Sequence, residues 1–175
     1  PGEQVVAFHR EYAERHSIPK ANCSFDGSLR AGIVQEYGRL WSNDVAAIDA
    51  GGPPTTRPVS VMKELSKDGK VRVQATWRDK VASFNTELWM TASSLIISGQ
   101  IRGLQPAQES TVKQLCARKW KWAGKRKQLE TKKEYKSDNA GKSPNEADAL
   151  VGGIEMARRR GLVLHGVSAK DGGSM

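Results

Sequence analysis

Two polar side chains near the start of a predicted C-terminal helix have the chemistry to bind a divalent cation. Ser143, Pro144 and Glu146 predict a helix start with an N-cap, a proline at the first helical position and a capping box. Asp148 lies one turn further on at the edge of the apolar stripe, and Asn145 precedes it by three residues on the same face. A carboxylate in this position can hold a divalent metal. The alternative is an ordinary carboxylate that the helix dipole favours.

The apolar face behind these side chains predicts a helix that runs to about residue 160. Its members recur at helical spacing and are Ala147, Leu150, Val151, Ile154 and Ala157. Arginines at 158–160 suit the negative end of the helix dipole, and Gly161 is a natural terminator.

A second carboxylate, Asp26, is predicted at the end of a short strand over residues 22–25. A helix over 29–41 and a second strand over 45–48 follow, and this order predicts a parallel pair with a crossover helix. Ligands of open α/β sheets bind outside the carboxyl ends of the strands, so Asp26 is a candidate site residue. The alternative is turn chemistry, because Asp-Gly is a common turn pair.

The overall charge indicates a polyanionic partner. The 175 residues include 28 Lys and Arg against 19 Asp and Glu, a net charge of +9. Nucleic acid is the first candidate partner and an acidic membrane surface is the second. No apolar run approaches the roughly 20 residues of a membrane span, and no signal peptide is visible. We therefore expect a protein that is cytoplasmic, not secreted and not in a membrane.

The remaining pattern predicts one domain over residues 1–165 and a disordered tail over 166–175. Helices are expected at 3–16, 59–66, 79–98 and 108–118, and a strand with one wet face at 71–77. In the helix at 3–16, Val5, Val6, Phe8, Tyr12 and Ala13 are expected to cluster on one side. The helix at 108–118 is expected to bury Val112, Leu115 and Cys116. Cys23 and Cys116 match neither a zinc site nor a disulfide framework, so buried free thiols are expected.

A basic hairpin is predicted between the last two helices, with strands at 119–122 and 127–131 around a turn at Ala123-Gly124-Lys125. Trp120 and Trp122 alternate with lysines, which indicates one aromatic and one cationic face. Cations along such a ribbon can neutralise phosphates, although a solvated charged hairpin is the simpler alternative. The candidate DNA-binding residues are Lys121, Lys125, Arg126, Lys127, Lys132 and Lys133.

Other catalytic patterns find no support. Gly141-Lys142-Ser143 resembles the end of a phosphate-binding loop, but that pattern needs a glycine at 136, where this chain has Lys136. His9, His16 and His165 have no ligand-like spacing.

From about residue 3 to residue 160, the chain resembles the nuclease domain of the large terminase subunit of tailed bacteriophages. That domain belongs to the ribonuclease H-like (retroviral integrase-like) superfamily. The first matching segment runs Phe25-Asp26-Gly27-Ser28-Leu29-Arg30-Ala31-Gly32-Ile33-Val34. The second runs Leu129-Glu130-Thr131-Lys132-Lys133-Glu134-Tyr135-Lys136, then Gly141-Lys142-Ser143-Pro144-Asn145-Glu146-Ala147-Asp148-Ala149-Leu150.

The resemblance implies a ribonuclease H-like α/β fold, a mixed sheet flanked by helices, incomplete at its N-terminus because the family's first strands have no match here. It implies a two-metal-ion endonuclease that cuts concatemeric viral DNA during genome packaging. Asp26 and Asp148 would be catalytic and would bind two Mg²⁺ or Mn²⁺ ions, and Asn145 stands where the family usually has an aspartate.

The family also implies partners and a location. Double-stranded DNA would be gripped non-specifically by the basic residues of the hairpin and by Lys132 and Lys133. The small terminase subunit, the portal and an ATPase domain outside this chain are the implied protein partners. The location would be the cytoplasm of the infected bacterial host.

The chain departs from the family in ways that leave alternatives open. The family's first strand carries a catalytic aspartate with no match here, because Asp49 follows a later strand. Residues 53–69 have the composition of an insertion. The alternatives are a junction resolvase or another nuclease of the same superfamily, a non-catalytic DNA-clamping module, and a protein-interaction domain that docks on a viral portal.

Overall fold

The computed structural model describes residues 2–28, 31–59, 75–102 and 109–161. In chain order the elements are α1 (Gly2–Arg15), a 3-10 turn (Lys20–Asn22), β1 (Ser24–Asp26), α2 (Ile33–Leu40), β2 (Ala46–Ile48), α3 (Trp77–Lys80), α4 (Phe84–Ile97), α5 (Glu109–Ala117), β3 (Trp120–Ala123), β4 (Arg126–Leu129), α6 (Lys132–Asp138) and α7 (Asn145–Arg159). The predicted α/β class is confirmed. Within the described ranges, the strands form two separate two-stranded sheets rather than one mixed sheet.

The chain divides into two compact units. The first comprises the chain up to Gly51 together with the stretch that begins at Asp148, and the second comprises Gly52–Ala147. The division falls within α7, so this helix contributes its first residues to one unit and the remainder to the other.

The first unit contains the predicted parallel pair. β1 and β2 are parallel, with Ser24 opposite Ala46 and Asp26 opposite Ile48, and α2 connects them. This arrangement confirms the predicted strand, crossover helix and strand. The core beneath the pair consists of Val6, Ala13, Cys23, Phe25, Ile33, Tyr37 and Val45. Phe25 stacks on Tyr37 with the ring centroids 3.8 Å apart, so the strand and the crossover helix are joined by their aromatic rings.

α1 confirms the predicted helix at 3–16, but its apolar face is only partly buried. Val6 and Ala13, seven residues apart, lie in the core. Phe8 is 70% exposed, and Val5 and Tyr12 are also exposed. Of the predicted apolar cluster, these three side chains therefore lie outside the core.

The second unit contains α3 and α4 where one long helix was predicted over 79–98. The chain becomes extended at Val81, which forms a parallel bridge with Lys127 of β4, and α4 begins only at Phe84. Ser83 is the N-cap of α4, and its side chain accepts a hydrogen bond from Thr86 N at 3.2 Å. Apolar side chains recur at helical spacing through this stretch, and Val81, Phe84, Leu88, Trp89, Ala92 and Leu95 are buried.

Other predictions in this unit have mixed outcomes. β3 and β4 form the predicted antiparallel hairpin. α5 confirms the helix at 108–118, but Val112 and Cys116 are exposed and Leu115 is half-buried. The predicted buried thiol is therefore right for Cys23 and wrong for Cys116, and both thiols are free.

The strand predicted at 71–77 is wrong at its end, because Trp77 begins α3 and Thr76 forms only an isolated bridge with Pro58. Residues 71–74, most of the helix predicted at 59–66 and the tail at 166–175 lie outside the described residues. Among the described helices, none combines the length and the apolar character that crossing a membrane requires.

Candidate functional site

The carboxyl edge of the parallel pair holds the first candidate residue, Asp26. β1 ends at Asp26, and the next amide, Gly27 N, donates a hydrogen bond to Ile48 O at 3.0 Å. A hydrogen bond therefore still joins the two chain segments immediately beyond Asp26. A Cβ atom on Gly27 would lie 3.2 Å from the Ala47 Cβ atom, so a glycine suits the close approach of the two strands here.

The Asp26 carboxylate is exposed and is oriented by its own turn. Its Oδ1 atom accepts hydrogen bonds from Ser28 N at 2.9 Å and from Ser28 Oγ at 2.6 Å. This is the turn chemistry expected of an Asp-Gly pair. Asp26 can stabilise this turn and also serve as a site residue. The bonds to Ser28 hold its carboxylate at the strand end, and the carboxylate stays exposed to solvent.

A second exposed aspartate, Asp49, lies at the same edge. It directly follows β2, and its Oδ1 atom accepts a hydrogen bond from Gly51 N at 2.9 Å. Asp26 and Asp49 therefore end adjacent parallel strands in equivalent turns. Asp49 was not counted as a site residue from the sequence, because it follows a later strand than the one that carries the family's first aspartate. The signal that could have found it is its position after the second strand of a parallel pair.

Asp148 belongs to the same compact unit as Asp26. It lies in α7, its side chain is half-buried, and its Oδ2 atom is enclosed by protein. The sequence predicted this position at the margin of the helix's buried stripe. That stripe is confirmed at Ala147, Val151 and Ile154, which are buried, whereas Leu150 and Ala157 are half-buried.

The far end of α7 is attached to the amino edge of the parallel pair. Arg160 Nε donates to Ala21 O at 2.6 Å, and Arg160 donates a second, longer bond of 3.3 Å to Asp44 O. Both carbonyls precede the strands. Arg159 donates to Ala47 O at 3.4 Å and also bonds the buried Glu155 at 3.0 Å. The arginines thus fix the helix end through carbonyls as well as through the dipole.

Asn145 is exposed, opens α7 and lies in the stretch that belongs to the second unit. The backbone next to it is bonded to α5. Gln114 Oε1 accepts hydrogen bonds from Glu146 N at 3.0 Å and from Ala147 N at 3.1 Å. Glu146 Oε2 accepts from Thr111 Oγ1 at 2.9 Å.

These contacts correct the predicted capping box between Ser143 and Glu146. The amide that the box assigns to Ser143 is bonded to Gln114, and the Glu146 carboxylate bonds Thr111. The helix start was predicted correctly, but its acceptor comes from another helix. Local sequence cannot reveal a partner that is 32 residues away.

The basic hairpin divides its cations between two environments. Lys121 Nζ lies 2.5 Å from Glu134 Oε1 of α6, and Lys119 Nζ lies 2.6 Å from Asp138 Oδ2. The bond from Lys121, with those from Thr131 N and Oγ1, lowers the pKa of Glu134 from 4.5 to about 2. Hydrogen bonds and the charge of Asp138 raise the pKa of Lys119. The charge of Lys121, a predicted DNA-binding residue, is therefore partly neutralised within the protein.

The other predicted DNA-binding cations lie at the hairpin turn and in the first turn of α6. They are Lys125, Arg126, Lys127, Lys132 and Lys133, and all five are exposed. Among the described residues, no carboxylate forms an ion pair with the three at the hairpin turn. These three cations keep their charge available for an external anion.

The structure brings Asp26 and Asp148 into one unit, but a complete metal centre is not assembled from the described side chains. Within residues 2–28, 31–59, 75–102 and 109–161, no group of three or more His, Cys, Asp or Glu side chains is arranged to hold a metal ion. Two carboxylates remain the candidate ligands, and water or substrate oxygens can complete the coordination of Mg²⁺, which commonly keeps several waters.

A buried ion pair in the second unit was not predicted from the sequence. Glu87 of α4 is fully buried, and its carboxylate accepts hydrogen bonds from Arg57, from Thr55 N at 2.6 Å and from Thr55 Oγ1 at 2.7 Å. A glutamate inside an apolar helical stripe was the available signal, because a carboxylate is buried only with partners. The pair fixes the loop at 52–58 to α4.

Arg118 is a second buried charge that the sequence did not reveal. Its guanidinium lies 4.9 Å from the Trp89 ring centroid and 5.3 Å from that of Tyr135. Through these two contacts Arg118, which precedes the hairpin in the sequence, links α4 to α6.

Neither a protein-family model nor a curated protein matches the sequence.

Proposed function

We propose that this chain is a metal-dependent DNA endonuclease related to the nuclease domain of the large terminase subunit, acting on concatemeric viral DNA during genome packaging in the cytoplasm of a bacterial host. The observation that carries the proposal is Asp26 at the carboxyl edge of a parallel pair, in the same compact unit as Asp148. Carboxylate oxygens are ligands that hard divalent cations prefer, and the ligands of open α/β sheets bind at the carboxyl ends of the strands.

The dimensions of α7 support a shared role for the two aspartates. Arg160 bonds carbonyls at the amino edge of the strands, and Asp148 lies eleven residues before Arg159 in the same helix. At 1.5 Å per residue, this separation is about 16 Å along the helix. The strands have three residues each, or about 10 Å. The helix is therefore long enough to extend from the amino edge past the carboxyl edge.

In this proposal, Asp26 and Asp148 hold two Mg²⁺ or Mn²⁺ ions, and Asn145 lies three residues before Asp148 in the sequence. When bound, such ions supply an activated water and stabilise the leaving oxygen of a phosphodiester. The protein's own part is to orient Asp26 through Ser28 and to keep the Asp148 carboxylate half-buried. Half-burial reduces the number of water molecules that compete with a metal ion for this carboxylate.

The hairpin supports the DNA part of the proposal. Lys125, Arg126 and Lys127 are exposed at a turn within a chain of net charge +9. Cations in this position neutralise phosphates without reading the bases, which is the contact expected of an enzyme that cuts duplex DNA with little sequence preference.

The test is nicking of a supercoiled plasmid with Mn²⁺, Mg²⁺ or a chelator, for the parent chain, Asp26→Asn and Asp148→Asn. We expect metal-dependent nicking that either substitution reduces by more than about 100-fold, because each removes a charged ligand. Asp44→Asn is the matched control, since Asp44 is an exposed aspartate at the amino edge of the same strands, bonded to Lys20 and Ser42. Parental nicking by Asp148→Asn would overturn the proposal.

A non-catalytic DNA-clamping module is the second candidate. It is favoured by the lack of a three-ligand acidic group among the described residues and by the neutral Asn145. Salt-sensitive DNA binding that is unchanged by chelator, without nicking in either metal, is the result that would favour the clamp over the nuclease.

A further inference from the structure

The hairpin carries two exposed tryptophans on one of its faces. Trp122 lies directly opposite Lys127, and Trp120 lies directly opposite Leu129. Directly opposed residues of antiparallel strands share one face, and Trp120 and Trp122 are two residues apart on one strand. We call Trp120, Trp122 and Lys127 the tryptophan face.

The two indoles of this face are exposed to solvent. Trp122 is 69% exposed and Trp120 is 41% exposed. A tryptophan buries about 150–250 Å² when it packs in a protein, so two exposed indoles leave a large apolar area in water. Exposed apolar patches that are rimmed by polar residues often mark interaction sites.

The hairpin that presents the face is held firmly from other directions. Lys119 and Lys121 alternate with the tryptophans and pair with Asp138 and Glu134 of α6. β4 is bonded to the chain before and within α4, because Ala82 N donates to Lys127 O at 2.9 Å and Leu129 N donates to Thr86 Oγ1 at 3.1 Å. The indoles are therefore displayed on a fixed support, which lowers the entropy cost of binding to them.

The charge next to the tryptophan face indicates the chemistry of its ligand. Lys127 Nζ lies 5.8 Å from the Trp122 ring centroid, within range of a cation–π contact. Lys125 and Arg126 follow the turn glycine, Gly124, whose φ of +61° permits the sharp reversal. The described carboxylates form no ion pair with these three cations. The ligand should therefore combine flat apolar surface with negative charge.

We propose that the tryptophan face binds unpaired nucleotides of a nucleic-acid strand, with their bases stacked on Trp120 and Trp122 and their phosphates neutralised by Lys125, Arg126 and Lys127. A single strand has both features, since every base offers an aromatic face and every linkage a charge. Within a duplex the faces of the bases are already stacked on each other, so the indoles add little there. This inference takes only one point from the proposed function, namely that the partner is a nucleic acid.

The test is binding of a fluorescein-labelled oligothymidylate and of a blunt duplex with the same number of phosphates, followed by anisotropy in the presence of chelator. We expect Trp122→Ala to weaken oligothymidylate binding by about ten-fold, because stacking on one aromatic side chain contributes that much. Duplex binding should change less than two-fold. Trp122→Phe, which keeps a ring, should recover most of the lost affinity.

Two controls separate stacking from charge and from loss of structure. Phe8→Ala removes an equally exposed aromatic side chain, 70% exposed on α1, and should change neither affinity. Lys127→Gln should weaken the binding of both ligands and reduce the salt dependence of that binding. Circular dichroism of each variant checks that the fold is kept. We expect this for the Trp122 variants, because an exposed indole contributes little to the stability of the fold.

The outcomes distinguish this inference from the proposed nuclease. Equal losses of oligothymidylate and duplex affinity in Trp122→Ala, or no loss of either, would overturn the tryptophan face as a base-binding site, whether or not the chain cuts DNA. In that case a protein partner becomes the better occupant. A selective loss in a chain that does not nick plasmid would support the face and overturn the nuclease.

Discussion

Glu134 illustrates how one side chain joins two elements of the second unit. Its Oε1 atom bonds Lys121 of β3, and its Oε2 atom accepts from Thr131 N and Oγ1 at the start of α6. The same carboxylate thus completes a capping box and attaches the hairpin to the helix that follows it. The pattern Thr131-x-x-Glu134 was visible in the sequence, whereas the bond to Lys121 depends on the fold.

These bonds predict the titration of Glu134. We expect a pKa of about 2, below the ordinary 4.5, because Lys121 and the Thr131 amide and hydroxyl favour the charged carboxylate. Its contribution to stability should be present above pH 4.5 and be lost as the pH falls through about 2. Carbon-detected NMR titration measures the pKa, and Lys121→Met should raise it toward 4.5. An unchanged pKa in Lys121→Met would contradict the pairing.

At the scale of elements, the loop at 52–58 depends on a carboxylate inside α4. Glu87 is fully buried, and Arg57 and Thr55 satisfy its oxygens. A buried charge is tolerated only while its partners remain, so this contact is more valuable than the ion pairs on the surface.

Glu87→Ala should lower the free energy of unfolding by about 3 kcal/mol, because the Arg57 guanidinium and the Thr55 amide would lose their acceptor. Urea denaturation followed by tryptophan fluorescence measures the change. Glu109→Ala is the matched control, since Glu109 pairs with Lys113 in an exposed helical pair and should cost less than about 1 kcal/mol. Similar losses in the two variants would refute the proposed role of Glu87.

The elements that sequence analysis predicted correctly are those whose signals are local. The parallel pair, its crossover helix and the basic hairpin were readable because apolar periodicity and turn residues mark their limits. The misses come from contacts between elements. The break at Val81 reflects a bridge to Lys127, and the cap of α7 is Gln114 of α5. Neither partner can be inferred from the neighbouring residues.

For the candidate site too, the sequence indicates only those residues whose signals are local. Asp26 and Asp148 were chosen as candidates from a strand end and from a helix margin, and both lie in one compact unit of the structure. Asp49 was missed as an edge residue because it was compared with a family position rather than with the parallel pair. Burial of Glu87 depends on the loop that covers it, which no periodicity reveals.

At the scale of the whole molecule, charge and site divide between two compact units. The two aspartates lie in the unit built on the parallel pair, and the hairpin with its cations lies in the other. Under the proposed function, the first unit supplies the metal ligands and the second supplies most of the phosphate contacts. Loss of cutting and loss of binding should therefore respond to different substitutions.

The most direct test of this account is the location of bound Mn²⁺, measured as paramagnetic broadening of backbone amide signals. We expect the amides of Asp26, Gly27 and Asp148 to broaden together at low Mn²⁺, and excess Mg²⁺ to restore them. Asp26→Asn should abolish broadening at Asp148, because the two carboxylates share the site. Broadening confined to one of the two aspartates, or none at either, would contradict the central claim that this chain assembles a divalent-metal centre from Asp26 and Asp148.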